Sequence, residues 1–593
     1  MSDDGVLRVA NCSGFYGDRL AAAREMVEDG PIDVLTGDYL AELTLMILLK
    51  DKLEDPSLGY ARTFLRQLQE VARTCLERGI RIVVNAGGLN PAGLADAARR
   101  LYESQGLDAA IAFLDGDDLL SRLDDLMSQG EALAHLDRGT PLRELDQQVL
   151  SANAYLGGAG IAEALRRGAD LVVCPRVTDA ALAVGPAMWR FGWARDDWDR
   201  LAAAVVAGHV IECGAQCTGG NYSFFEEVPS LEHPGFPIAE LYEDGSFVIT
   251  KHPGTDGLVS VGTVTAQLLY EIAGPRYANP DVVARFDTIR LEQQGPDRVR
   301  VWGVRGEPAP EATKVCINYL GGYKNGVTFL LPGLDAEGKA RVAEESFWTA
   351  CGGRERFAET YSRLLHGARS TSDSDGDAIS LLRLAARDPD ERKVGRPFWN
   401  AAIETALGSY PGFQLASSSR TASAITVYWP ALVASRWIAE RVHVAGETVD
   451  VPPAPGGAEV SDIPAPEVPA PEVPPGEVPA GPTRLAPLGA IAGARSGDKG
   501  GHANVGFWTR TPEAWLWLER FLTPDQLRDL YPEAADLEIE RFELPNLLAL
   551  NFVIHGLLGE GVSASLRLDP QAKMLGEELR AARVPIPASL LSG

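Results

Sequence analysis

Short apolar runs rich in β-branched residues alternate with longer stretches of helical spacing through the first part of the chain. Residues 7–10, 32–35, 80–84, 109–114 and 170–174 read as strands, and 20–28, 92–105 and a stretch from about Ala41 read as helices. Strands separated by helices of ten or more residues predict parallel pairing through crossover connections, hence an α/β fold. Polar residues recur where the strands end: Asn11, Ser13 and Asp18; then Thr36 and Asp38; then Asn85 with Gly87 and Gly88; then Arg176 and Asp179. In an open parallel sheet these ends line one edge, where such folds bind ligands. The same residue types favour turns and helix caps, so any one of them is equally well explained locally.

The pattern changes further on. Residues 246–257 read as strand, turn and strand, with Lys251 either near an anionic substrate or solvated on the hairpin, and 259–272 as a helix. Alternation over 286–304 and 314–331 predicts an antiparallel or mixed sheet that turns at Gly321-Gly-Tyr-Lys-Asn-Gly326, and 432–441 reads as a helix. Asp373, Asp375 and Asp377 lack the later glutamate of an EF-hand loop and read as an acidic loop. A Pro-rich stretch with the near-repeat Pro-Ala-Pro-Glu-Val-Pro cannot build a core and reads as an extended spacer. The expected organisation is an α/β domain over 5–445, with a parallel-sheet, Rossmann-like part and a mixed-sheet extension, a linker over 451–484, and a small α+β domain of ferredoxin-like type over 485–593. In that last part Arg495, Ser496, Asp498, Lys499, His502 and Asn504 form a dense polar loop, suited to gripping a phosphate or carboxylate, or to a structural turn or domain contact.

The richest stretch is 208–221, where His209, Glu212, Cys213, Gln216, Cys217 and Asn221 stand among four glycines. Histidine, carboxyl and thiol groups all move protons near neutral pH once burial or a neighbour tunes them. Two other readings stay open. Val210 and Ile211 could end a buried strand, with Cys213 as filler and the glycines as a turn; or His209, Cys213 and Cys217 could hold zinc, which would need a helix that Gly214, Gly219 and Gly220 oppose. The loop at 85–91 could present amides to an anion, but it is neither a dinucleotide fingerprint nor a P-loop. No nucleophile elbow and no His-Glu-x-x-His is found.

Composition narrows the partners. The chain has 593 residues, 45% hydrophobic and 23% charged, enough for several globular cores. A net charge of −27 argues against nucleic acid or an anionic membrane surface as partner. No apolar run approaches about 18 residues and the start lacks a secretory signal pattern; with seven scattered cysteines, this predicts a cytoplasmic protein.

Five segments taken together, Asn11-Cys-Ser-Gly-Phe-Tyr-Gly-Asp-Arg, Thr36-Gly-Asp-Tyr-Leu-Ala-Glu-Leu-Thr, Asn85-Ala-Gly-Gly-Leu-Asn-Pro, 209–220 and Gly235-Phe-Pro-Ile-Ala-Glu, resemble the acyclic terpene utilisation (AtuA) family, and 494–504 resembles its ferredoxin-fold domain. Cys217 departs from the family pattern. The resemblance implies a pathway in which citronellol- and geraniol-type compounds are degraded as CoA thioesters, and kinship with partners of biotin-dependent acyl-CoA carboxylases; it brings no catalytic assignment. The expectation is therefore a hydratase or lyase acting on a branched acyl-CoA. Glu212 or His209 would be the base and Cys213 an acid or nucleophile, with Asp38 and Arg176 in the same catalytic group, and the amides of Gly87, Gly88, Gly219 or Gly220 would hold the enolate oxygen. Asn11, Ser13, Asp18, Asn85, Asp179, Gln216, Asn221, Lys251, Arg495, Asp498 and Lys499 are the expected substrate contacts. No metal and no cofactor beyond the substrate's own CoA is expected, and a homo-oligomer is. The alternatives are a non-catalytic carboxylase partner and a thioester or lactone hydrolase.

Overall fold

The structure is a computed structural model that describes residues 5–367, 379–455 and 476–591; the acidic loop at 373–377 and the centre of the Pro-rich stretch lie outside the described residues. The first six strands are β1 (Val6–Asn11), β2 (Val34–Gly37), β3 (Arg81–Val84), β4 (Ile111–Asp115), β5 (Val149–Ala154) and β6 (Leu171–Val173). β1, β2, β3, β6 and β4 lie side by side in that order, all parallel, at the centre of an eleven-stranded sheet.

Their apolar residues point alternately to two cores. Leu7, Val9, Val34 and Val83 face the helices Ala159–Arg166, Ala181–Phe191 and Trp198–Ile211; Ala10, Leu35, Ile82 and Val84 face Ala22–Glu28, Arg62–Arg78 and Pro91–Ser104. A sheet covered on both faces accepts nearly continuous apolar strands, as seen here.

The Rossmann-like expectation needs correction, because the sheet is mixed and its antiparallel pairings outnumber the parallel ones. Pro237–Tyr242, Phe247–Lys251, Arg298–Trp302 and Arg290–Gly295 extend it beyond β1, and Arg441–Val444 and Glu447–Asp450 extend it beyond β4. A parallel neighbour needs a long crossover, whereas three of the antiparallel pairs, Pro237–Tyr242 with Phe247–Lys251, Arg290–Gly295 with Arg298–Trp302, and Arg441–Val444 with Glu447–Asp450, are hairpins closed by short turns.

Two other expectations fail for a related reason. Ala312–Pro332 is one continuous strand where a turn was expected at 321–326; a bulge between Leu320 and Gly322 absorbs the glycines, with Gly322 at φ +106. Its two halves are held in line by pairing with β5 and Ser423–Ala434 on one stretch and with Ile379–Asp388 on the next. The helix expected over 432–441 is the end of the strand Ser423–Ala434, a short 3-10 turn and then Arg441–Val444. Ala431 and Val433 are fully buried while Leu432 is exposed, the period of a strand.

The C-terminal part has the expected order of two strands (Ala492–Lys499, His502–Thr509), two helices (Pro512–Phe521, Pro524–Leu530), two strands (Ile539–Leu544, Ala549–Ile554) and a helix (Leu575–Ala581). Its antiparallel sheet docks on the first domain: Trp508, Leu544, Leu547 and Ala549 join the same apolar cluster as Leu268, Leu269 and Ile272. Asn504 fixes the seam, accepting from the Glu271 amide at 2.8 Å and donating to the Leu269 carbonyl at 3.1 Å. Among the described residues no helix is long and apolar enough to cross a membrane.

Candidate active site at the domain junction

The carboxyl ends of β1, β2, β3 and β6 meet as a parallel centre requires. After β1, Asn11 accepts from the Ser13 amide at 2.8 Å and donates to the Glu212 carbonyl at 3.2 Å, tying the first loop to the 208–221 segment. After β2, the Asp38 amide donates to the Ser13 carbonyl, and after β3 the Asn85 side chain donates to Asp38 Oδ1 at 2.6 Å while accepting from the Tyr39 amide. After β6, Arg176 donates to Asp179 at 2.9 Å and to the Leu40 carbonyl, its guanidinium stacked 4.2 Å from the Tyr155 ring.

The fifth component arrives on a helix. Residues 208–211 are not a strand end: the helix Trp198–Ile211 runs to them, every residue from Leu201 to Ile211 is buried, and Gly214 at φ +58 follows only after it ends. Helical register sets His209 and Glu212 three apart on one side, Nδ1 to Oε1 at 3.5 Å. Gly14 permits the β1 loop to lie on this segment, since a Cβ there would come 2.7 Å from the Cys213 carbonyl carbon.

Asp38, Asp179 and Glu212 thereby bring one carboxylate oxygen each within 4.8 Å of one another. Burial, then the charges of Asp179 and Glu212, hold the Asp38 carboxyl well above the usual range; burial, then Asp179, does the same to Glu212. Burial and then the Lys499 charge push His209 down to about 4, so its ring is neutral at neutral pH. Cys213 is pushed well up, first by burial and then by Glu212, and is a neutral thiol rather than a ready thiolate. Asp179, with 32% of its side chain exposed, is where the cluster meets solvent.

The C-terminal domain closes the site. Arg495, 6% exposed, stacks 4.3 Å from the Tyr270 ring and reaches the Asn221 carbonyl only weakly, at 3.4 Å. Lys499 donates to the Glu271 carbonyl at 2.8 Å and lies 5.6 Å from the Tyr277 ring, which in turn flanks His209 at 5.1 Å. Asp498 is on the same strand, opposite Ala503. Several buried polar atoms here have no hydrogen-bond partner: both His209 ring nitrogens, Glu212 Oε2, Gln216 Oε1, and Nε and Nη2 of Arg495.

Other expected residues lie elsewhere or are occupied. The amides of Gly87, Gly88, Gly219 and Gly220 donate to the carbonyls of Cys174, Asn85, Gln216 and Ala215, so none is free to hold an oxyanion. The helix start after the Asn85 loop is capped by Asn90, which accepts from the Gly93 amide. Asp18 accepts from the amides of Gly14 and Arg19 inside its own loop. Lys251 is buried against Asp297 at 3.1 Å and the Thr255 carbonyl at 2.8 Å, where it ties its hairpin. Among the described residues the triad is the acidic, histidine or cysteine group able to surround an ion; His209, Cys213 and Cys217 form no such group. Tyr155, Tyr277 and Glu271 escaped the sequence reading, since an aromatic in or just after a short strand and a single glutamate carry no pattern that separates them from core or surface.

The model of the acyclic terpene utilisation family protein AtuA matches residues 7–444, close to three quarters of the chain. The chain belongs to that family. The AtuA ferredoxin-like domain matches 486–585. The AtuA match contains every residue of the carboxylate cluster, and the ferredoxin-like match contains Arg495 and Lys499, so the site draws on both parts of the AtuA architecture. No curated protein and no solved structure matches the chain.

Proposed function

We propose that this AtuA-family chain is an enzyme of acyclic terpenoid breakdown that acts on a branched acyl-CoA thioester by proton transfer beside the thioester carbonyl, adding or removing water or cleaving a carbon–carbon bond. One observation carries the reading: unpartnered polar atoms of Glu212, His209, Gln216 and Arg495, all from buried or half-buried residues, gather around the 208–221 segment at the domain junction. Buried polar groups are almost always hydrogen-bonded, and a concentration of exceptions marks groups that wait for a ligand. In this reading the His209–Glu212 pair moves the proton, and Arg495 offers Nε and Nη2, the side-on fork that suits two oxygens of one anionic group.

The alternatives have less support. A hydrolase using Cys213 as nucleophile is disfavoured by a thiol held in its neutral form. A tethered, non-catalytic carboxylase partner is disfavoured by a C-terminal domain that packs into the first domain's core and supplies Arg495 and Lys499.

The test is to incubate the full chain with branched enoyl-, hydroxyacyl- and carboxylated acyl-CoAs and to follow product masses. Gain or loss of one water, or cleavage into two fragments, supports the reading, provided Glu212→Gln abolishes it. Released free CoA alone, or no mass change with any thioester, overturns it.

A further inference from the structure

We propose that Asp38, Asp179 and Glu212 form a binding site for one divalent cation of the Mg²⁺ or Mn²⁺ class. The three carboxylate oxygens lie within 4.8 Å of one another; oxygens bound to one Mg²⁺ at ~2.0–2.1 Å are at most about 4.2 Å apart, so binding would draw the side chains slightly together.

Orphaned buried polar atoms point to an occupant. Glu212 Oε2 is buried without a partner, and His209, 1% exposed, aims Nδ1 at Glu212 from 3.5 Å although neither ring nitrogen completes a hydrogen bond.

The donor set selects the metal. Three carboxylate oxygens, with room for water on the side of the part-exposed Asp179, match a small hard cation that keeps several waters; calcium takes six to eight oxygens, and zinc favours nitrogen and sulfur. The site rests on the proposed function only for what the ion does, polarising the thioester carbonyl, and not for its presence.

The experiment is a Mn²⁺ titration of the chelator-treated full chain, reading free Mn²⁺ by electron paramagnetic resonance, with Mg²⁺ as competitor. One Mn²⁺ per chain, displaced by Mg²⁺ and weakened tenfold or more in Glu212→Gln and Asp179→Asn, is the expected result; Glu440→Gln, in another part of the first domain, should leave affinity unchanged. If Glu212→Gln fails to fold, Asp179→Asn, at the more exposed ligand, decides alone. No binding at millimolar Mn²⁺, or equal binding in the ligand variants, overturns the proposal. Failure of the reaction is read separately: Mn²⁺ bound without turnover of any thioester sinks the function and keeps the site, whereas full turnover by the metal-free chain keeps the function and removes the ion's part in it.

Discussion

Asn85 joins two strand ends with one side chain: its Nδ2 donates to Asp38 Oδ1 at 2.6 Å, and its Oδ1 accepts from the Tyr39 amide at 2.7 Å. The residue is fully buried, so its loss leaves the Tyr39 amide without a partner and Asp38 Oδ1 with only the Leu40 amide, at 3.1 Å. Asn85→Ala should therefore lower unfolding stability by about 1–3 kcal/mol, the cost of one unsatisfied buried donor together with a weakened hold on Asp38. Urea unfolding of the two proteins checks this; a change below about 1 kcal/mol would mean that Asp38 is not held by Asn85.

Arg495 separates binding from stability. A nearly unpartnered buried guanidinium contributes little to folding, so Arg495→Ala should leave the melting temperature unchanged or raise it, and raise KM for the acyl-CoA substrate by about tenfold or more. Arg495→Lys should not rescue KM, because an ammonium lacks the two-pronged fork. A large fall in melting temperature with KM unchanged would assign Arg495 to the domain seam alone.

Cys213 should behave as an inert thiol. With its pKa well above the ordinary 9.0, it should resist iodoacetamide at pH 7 under native conditions and react once the protein is unfolded, as mass spectrometry of the alkylated peptide would show. Cys213→Ser should keep turnover within about tenfold, since a nucleophile's loss costs far more than that. Rapid native labelling, or complete loss of activity in the serine variant, would restore a nucleophilic role.

Glu440 should set part of the pH dependence of stability. Burial, then the Asp281 charge, push its carboxyl from the ordinary 4.5 to about 8, and its Oε1 has no partner. The folded state thus holds a proton that the unfolded state has released between about pH 4.5 and 8. Its contribution is fully present below the lower value and is lost as pH rises through the upper one, with a slope of about 1.4 kcal/mol per pH unit in between. Glu440→Gln should flatten this fall and be more stable than the parent above pH 8; parallel stability curves for the two proteins would show that Glu440 titrates normally.

Much of this site was legible before any coordinates. The strand ends carrying Asn11, Asp38, Asn85, Arg176 and Asp179 and the segment with His209 and Glu212 were visible because polar residues recur at one strand end after another, although any one of them alone suits a turn or cap. The parts that misled were those whose local pattern had two physical outcomes. Gly321 and Gly322 can make a turn or a bulge, and neighbouring strands on either side decide for the bulge. Four glycine amides can hold an oxyanion or close their own turns, and they close the turns.

The sequence by itself determined the parallel strands at the centre of the first domain, the order of elements in the second, and the small set of polar residues from which a site could be built, because these depend on periodicity and residue type along the chain. Only the tertiary structure decided the rest. It put antiparallel hairpins on both sides of a parallel centre, drove Lys251 into a hairpin tie, and carried Lys499 from the far domain to the side of His209 and Glu212 and Arg495 to Asn221 at the end of the same segment. Those outcomes turn on which surfaces bury one another and which charges lose their water together, energies that belong to pairs of segments hundreds of residues apart and leave no mark on either segment alone.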